Sequence, residues 1–477
     1  MPTLIGVIFF GVSVYFFVWK EDRLFGLLII AAALQASSAI NFGERGIAPY
    51  YVVAAFIILR GACKVALRIR ANLSIPHGKW LMLFGAIAVA SAVVYPVLFA
   101  GIPVYEPKIG IDDGLFIRPP LSLGINNFAQ ASFLVWHIAT AFALPLLDFA
   151  PKKTFKALVF SFYLVVFILL TQFSFQLIGV PFPYQLILNN SVWTEEMLAS
   201  GSRYPGTFSE PSFAGAFLVF YCVWFLTEYL RGRGSITRVL IALVALGLVA
   251  SSGSFLTLCI CIPLVLIRFS PFRFPWYLNI RKAKKLYRIG LALVVPLVVV
   301  LVLASGYRET LISLTVSKSG SGSFINRTAA DLYALKLFAM THWIGVGLGS
   351  NRASSLVTTL LSNVGIAGVL CFTVFVWRLF RSLAAECAWL AWAAFALLLN
   401  MFIGVPDVTM PLLWIPILTA IQLNAGGVTI NQHERMQQAG LTTQTGWSSK
   451  QGRAKNGADC HACLPNEVLL CQTVALT

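Results

Sequence analysis

Residues 81–100 read LMLFGAIAVASAVVYPVLFA, twenty positions with no charged and no amide side chain. At 1.5 Å per residue an α-helix of this length measures about 30 Å, the thickness of a bilayer's hydrocarbon core. The run is not alone. Taken as 80–100, it joins comparable stretches at 3–19, 24–40, 47–63, 126–148, 157–180, 212–230, 239–253, 255–268, 289–305, 354–377, 388–405 and 411–424. The expected fold is all-α: a polytopic membrane helix bundle over 1–424, with about thirteen transmembrane helices. The short stretches 239–253 and 255–268 meet at Ser251, Ser252, Gly253 and Ser254 and can instead form a re-entrant pair, which leaves both flanks on the same side. The first stretch has no cationic segment before it and no small-residue cleavage site after it, so it is expected to be retained.

Composition closes off other classes. The chain is 58% hydrophobic and 11% charged, with a mean hydropathy of +0.82, whereas charged residues make up about 25% of a soluble globular chain. There is too little polar matter to coat water-soluble domains, and too much apolar matter for disorder. The formal charge of +17 would suggest nucleic acid if it were evenly spread. It is not. Alternating sides along the predicted spans, 26 of the 35 Lys and Arg fall on one side and 9 on the other, while the 18 acids divide 8 and 10. Cationic loops are retained in the cytoplasm, so the first side is the inner one, and the net charge records topology and anionic lipid with no nucleic-acid partner.

Three outer loops remain, at 101–125, 181–211 and 306–353, each longer than the roughly 12–15 residues that a plain connection needs. They are rich in aromatics, including Tyr105, Tyr184, Trp193, Tyr204, Phe208, Tyr333, Phe338 and Trp343, which places the chemistry outside. In the third loop Asn326 is suited to cap a surface helix whose Leu332, Leu335, Phe338 and Ala339 form an apolar stripe. The helix leads into His342 and the run HWIGVGLGS, whose Gly345, Gly347 and Gly349 permit positive φ and close backbone approach, as in a lid or cradle. The polar, unpatterned tail 425–477 is expected to be cytoplasmic and disordered.

Only six arginines stand on the outer side, against the sorting bias: Arg45, Arg118, Arg203, Arg308, Arg327 and Arg352. A guanidinium is a rigid fork of donors suited to phosphate oxygens, and a diphosphate needs two or more of them. Arg203, Arg327 and Arg352 are the candidates. The plainer alternative is an interface anchor or a salt bridge, such as Arg327 with Asp331 at i, i+4. Glu210, at the mouth of the span that begins at 212, is open to three readings: a base for a sugar hydroxyl, a holder of an arginine, or an acid favoured by the helix dipole. His342 is the second candidate base. His137, mid-span, reads as a satisfied core residue. Asp112 and Asp113 are adjacent and lack the D-x-D spacing of metal sites, and no metal or cofactor is expected. The nine cysteines form no disulfide framework, and Cys460-x-x-Cys463 has no second ligand pair for zinc.

Taken together, RYPGTFSEPSFAGAFL, the serine-rich SSGSF, and INRTAADLYALKLFAMTHWIGVGLGSNRASSLVTTLLSNVGIAGVL resemble the O-antigen ligase and polysaccharide polymerase superfamily over about 202–376. The matching positions are Arg203 and Gly206 before a span, Arg327 at the head of a helix, Ile344 with Gly345, Gly347 and Gly349, and Gly365 with Gly368. The resemblance implies a metal-independent inverting glycosyltransferase of the bacterial inner membrane, with its active site facing the periplasm or exterior. Its donor would be an undecaprenyl-pyrophosphate-linked oligosaccharide, with a chain-length co-polymerase as a possible partner. By the same implication Arg203 and Arg327 hold the pyrophosphate. Trp193, Tyr204, Phe208 and Trp343 are candidates to stack on sugars, or else belt aromatics. Ligases commonly place a His-Asn pair after the glycines; here Asn351-Arg352-Ala353-Ser354 stands there, which favours a polymerase of lipid-linked repeats over a ligase. A transporter or flippase without chemistry is the reading from another class, weakened by span interiors that offer mainly Gln35, Gln130, His137, Gln172, Gln176 and Asn400.

Overall fold

A computed structural model describes residues 1–43, 45–69, 75–106, 117–189, 203–269, 322–383 and 385–425. The predicted span 289–305, the tail from 426, Asp112, Asp113, Trp193 and Arg308 lie outside the described residues.

The helices are α1 (Leu4–Trp19), α2 (Leu24–Ala33), α3 (Pro49–Ala66), α4 (Gly78–Leu98), α5 (Ile125–Ala143), α6 (Pro151–Leu177), α7 (Pro211–Leu230), α8 (Ile236–Val249), α9 (Ser252–Phe269), α10 (Gly322–Met340), α11 (Leu356–Arg381), α12 (Ala388–Gly404) and α13 (Pro411–Ala425). Seven are long and apolar enough to cross a membrane: α3, α4, α5 with its continuation to Leu146, α6, α7, α9 and α11. Every predicted stretch that is described holds a helix. The protein is a mainly helical chain built to bury apolar helices side by side.

Helix α7 is apolar all round and buried on almost every side, by α8, α9 and α12, as expected of a helix at the centre of a bundle. Around it α2 packs on α6 and α3, α3 on α5, α4 on α5 and α11, and α10 on α11. His137 is satisfied in the core: Tyr50 Oη lies 3.0 Å from its Nδ1, the Thr409 carbonyl 2.8 Å from its Nε2, and Trp414 stacks on its ring.

Two expectations need correction. The stretch 24–40 is helical only to Ala33, because the chain then turns its polar groups toward other loops. Ala36 N–H donates to the Thr207 carbonyl at 3.1 Å, Ser37 Oγ to the Ile187 carbonyl at 2.7 Å, and the Asn189 amide clasps the Ser38 peptide at 2.6 and 2.8 Å. A short antiparallel hairpin, Ile40–Phe42 with Arg45–Ile47, follows. The second correction concerns α10. It starts at Gly322, so Asn326 lies inside it and caps nothing. Its buried face is Ala330, Ala334 and Leu337, with Thr341 just beyond, while Leu332 and Leu335 of the predicted stripe are exposed. The small Ala330 and Ala334 let that part of α10 lie close on its neighbours.

Charges gather where α1, α3 and α5 end. Glu21, before α2, pairs with Arg60 at 2.6 Å and with Lys64, which also lies 3.5 Å from Asp148; Asp22 pairs with Lys153. Burial alone would raise the Glu21 pKa, but the bonds from Lys64 and Arg60 outweigh it and hold the carboxyl at about 2.

Helix α11 is broken at Gly365, whose φ of 71° and ψ of −175° leave the helical region. The glycine run fills the break. Val346 N–H donates to the Ser362 carbonyl at 2.7 Å, Gly347 N–H to the Asn363 carbonyl at 2.9 Å, and Ile366 N–H to the Trp343 carbonyl at 3.0 Å. Backbone groups freed by a break in apolar surroundings must find partners within the protein, and here the loop 343–347 supplies them.

Candidate functional site

Glu210 is the N-cap of α7, in extended conformation, with Pro211 at the first helical position, where its missing N–H costs nothing. The Glu210 carboxylate accepts from Ser212 Oγ at 2.9 Å and lies 3.8 Å from Arg352 Nη2. Arg203 is half-buried nearby. Its pKa is lowered by burial and by the like charge of Arg327, and raised in part by Glu210. Arg327 comes in from α10 over the last residue of α12, where a Cβ on Gly404 would lie 3.5 Å from its Nη1. The guanidinium thus lies at a helix C-terminus, whose dipole favours a cation.

Thus segments more than 100 residues apart in sequence bring Glu210 beside Arg352, and Arg203 within electrostatic reach of Arg327 and Glu210. Among the described residues only the Arg352–Glu210 pair stands at ion-pair distance, and the three guanidiniums and one carboxylate together carry a formal excess of two positive charges. Two other nearby acids are spent elsewhere. Asp331 accepts only from the start of α11, and Asp407 from the backbone N–H and hydroxyl of Thr409. Among the described residues no carboxylate stands within ion-pair distance of Arg203 or Arg327, so the i, i+4 bridge from Arg327 to Asp331 does not form.

The loop that carries Arg203 is fixed from below. Phe208 N–H closes a turn onto the Pro205 carbonyl at 3.1 Å, with Gly206 at a φ of 65° inside it. The Gln172 side chain on α6 clasps the Gly206 peptide, accepting from its N–H at 3.1 Å and donating to its carbonyl at 2.9 Å. Thr207 Oγ1 bonds the Ala33 carbonyl. Tyr204 is buried, bonded to Gln176 and set edge-on to Phe173, so its ring does not stand open to a sugar. Phe208 is buried as well. Beneath Glu210 the SSGSF tip joins α8 to α9: a Cβ on Gly215 would strike Ser254 Oγ at 2.1 Å, and Asn400 donates to Ser254 and Thr257 at 3.2 Å.

The glycine run makes the close approaches expected of it, toward the protein's own backbone. Gly345, Gly347 and Gly349 all have positive φ, and an added Cβ would lie 2.8 Å from the Asn363 carbonyl, 2.7 Å from the Ser91 carbonyl and 2.7 Å from the Asn126 carbonyl respectively. That surface is filled, which removes the cradle reading for those three faces. His342 ends α10 in a left-handed turn and is exposed, as is Trp343, and no bond joins His342 to the arginines. Arg118 lies over the rings of Tyr105 and Tyr333, at 4.9 and 4.1 Å from their centroids, and donates to Tyr105 Oη at 2.8 Å.

Gln172, Asp331 and Gly404 were not singled out as site residues from the sequence. A glutamine inside a span carries a faint signal, since a buried amide needs partners; nothing local marks the other two. No family model and no curated protein matches the chain.

Proposed function

We propose that the protein is a polymerase of undecaprenyl-pyrophosphate-linked oligosaccharide repeats at the bacterial inner membrane. It transfers the growing glycan from its lipid pyrophosphate to the next lipid-linked unit, and works on the outer face. The observation that carries this reading is the pairing of Glu210 with Arg352 at 3.8 Å, with Arg203 half-buried close enough to feel the charges of both Glu210 and Arg327. An excess of two positive charges, one of them on a half-buried guanidinium, suits a dianionic pyrophosphate, and the resemblance over 202–376 supplies the reaction.

In that reaction an acceptor hydroxyl oxygen bonds to the anomeric carbon as the bond from that carbon to pyrophosphate breaks. The bonding pair leaves on the pyrophosphate, where preorganised guanidiniums stabilise the growing charge. The hydroxyl proton passes to water or to Glu210. The hydrogen bond from Ser212 and the ion pair with Arg352 at 3.8 Å favour the role of Glu210 as the holder of Arg352. The exposed leucines of α10 then rest on the membrane surface beside the site.

The test is the glycan made in cells that carry single variants. Arg203→Ala and Arg327→Ala are expected to abolish chain extension with normal membrane insertion; long-chain polymer from either would overturn the reading. Glu210→Gln is expected to slow extension by about tenfold, because an amide still bonds Ser212 but no longer pairs with Arg352. Complete loss with donor binding retained would make Glu210 the base. Mass analysis of the lipid-linked glycans that accumulate without the protein separates the nearest variant: single repeats mean polymerase, full-length unattached chains mean ligase.

A further inference from the structure

We propose that Asp331 is the positioning residue that sets Arg327 and Arg352 to face one anion. Its purpose rests on the anion site proposed above; its geometry does not. Oδ1 of Asp331 accepts from Ser354 N–H at 2.8 Å, Ser355 N–H at 3.2 Å and Thr358 Oγ1 at 2.6 Å, and Oδ2 accepts from Ser354 Oγ at 2.6 Å. One carboxylate on α10 thereby gathers four donors, all from the five residues 354–358.

The position of that carboxylate in the chain gives the bonds their meaning. Asp331 follows Arg327 by one helical turn, so the two share a face of α10. Ser354 follows Arg352 by two residues. The bonds therefore tie the helix that bears Arg327 to the segment that bears Arg352. Capping alone does not require this, because Ser355 already accepts from Thr358 N–H at 3.3 Å as the local N-cap of α11. A carboxylate from more than twenty residues upstream adds a fixed relation between two helices, strengthened by the dipole at the start of α11.

The same bonds have an electrostatic consequence. An acid four residues after an arginine normally pairs with it along the helix. By committing both oxygens of Asp331 to α11, the fold leaves the charge of Arg327 uncompensated by its own helix. Asp331 both aims Arg327 and keeps it available.

Two measurements on the full-length protein in detergent test this. The first needs no ligand. Hydrogen–deuterium exchange in Asp331→Ala is expected to rise at least tenfold across 327–340 and 354–358 while α4 and α5 hold their native rates; unchanged exchange in both segments overturns the lock. The second is a double-mutant cycle on the affinity for farnesyl diphosphate. Asp331→Ala is expected to weaken binding at least tenfold in the native background and less than twofold in Arg327→Ala. Equal losses in both backgrounds would show an ordinary structural residue and overturn the positioning role. If Asp331→Ala does not fold, Thr358→Val, which removes one of the four donors, takes its place with a smaller effect in the same direction. A native chain that does not bind farnesyl diphosphate defeats the anion site, and with it the purpose assigned to Asp331, whereas the exchange result stands on its own.

Discussion

Replacing Gln172 by Leu removes the clasp on the Gly206 peptide and nothing else of comparable size. Both bonds are buried, at 3.1 and 2.9 Å, and the clasped peptide lies three residues from Arg203 and four from Glu210. Leucine leaves one N–H and one carbonyl without partners in an apolar setting. At about 1–3 kcal/mol for each buried unsatisfied group, the variant should lose roughly 2–6 kcal/mol. Glutamate should fare no better, since it accepts from the Gly206 N–H but offers no proton to the carbonyl and buries a charge. The assay is reversible unfolding in mixed micelles, alongside the length of glycan made in cells. The expected result is a clear loss of stability together with shortened chains, because the loop that presents Arg203 loosens. A shift below about 0.5 kcal/mol, within the range of an ordinary surface substitution, with full chain length would refute the reasoning.

The other predictions concern distinct parts of the fold. Gly347→Ala forces a side chain into a φ of 105° with its Cβ 2.7 Å from the Ser91 carbonyl, and should cost about 2–6 kcal/mol from strain and overpacking combined. Gly43→Ala, at a φ of 61° with nothing within 4 Å, should cost only about 1–2 kcal/mol; similar melting shifts for the pair would contradict the packing described for the glycine run. Glu21 has a folded pKa lowered from 4.5 to about 2, so its contribution is present above the unfolded value and is lost as pH falls from about 4.5 toward 2. Stability measured across that window should fall less steeply in Glu21→Gln than in the native chain, and parallel curves would argue against the Arg60 and Lys64 pairing.

Much of the fold is legible from residue order because the bilayer imposes a length on helices that local composition reveals. Among the described residues the run 81–100 and its counterparts hold helices whose ends fall within about six residues of those expected, with one exception. The exception, 24–40, shows the limit. Its last third is apolar enough to pass as a span, yet Gln35, Ser37 and Ser38 are followed by a hairpin, and Ser37 Oγ and the Ser38 N–H bond residues 150 or more positions away. The candidate arginines were found through the charge bias, a property of the whole chain. The face of α10 was misassigned because periodicity marks an apolar stripe without saying whether protein or lipid will cover it.

What the sequence determined by itself is the class of molecule, a mainly helical chain with several segments long and apolar enough to cross a membrane, since hydrophobic length acts through the solvent and needs no distant partner. Tertiary structure alone decided what the conspicuous residues do. The glycines of 345–349 serve the broken helix α11, Tyr204 turns inward to Gln176, and Asp331 reaches α11 and leaves Arg327 unpaired along its own helix. Each of those outcomes depends on a hydrogen bond between residues separated in the chain, and such a bond has no local signature until packing brings its two ends together.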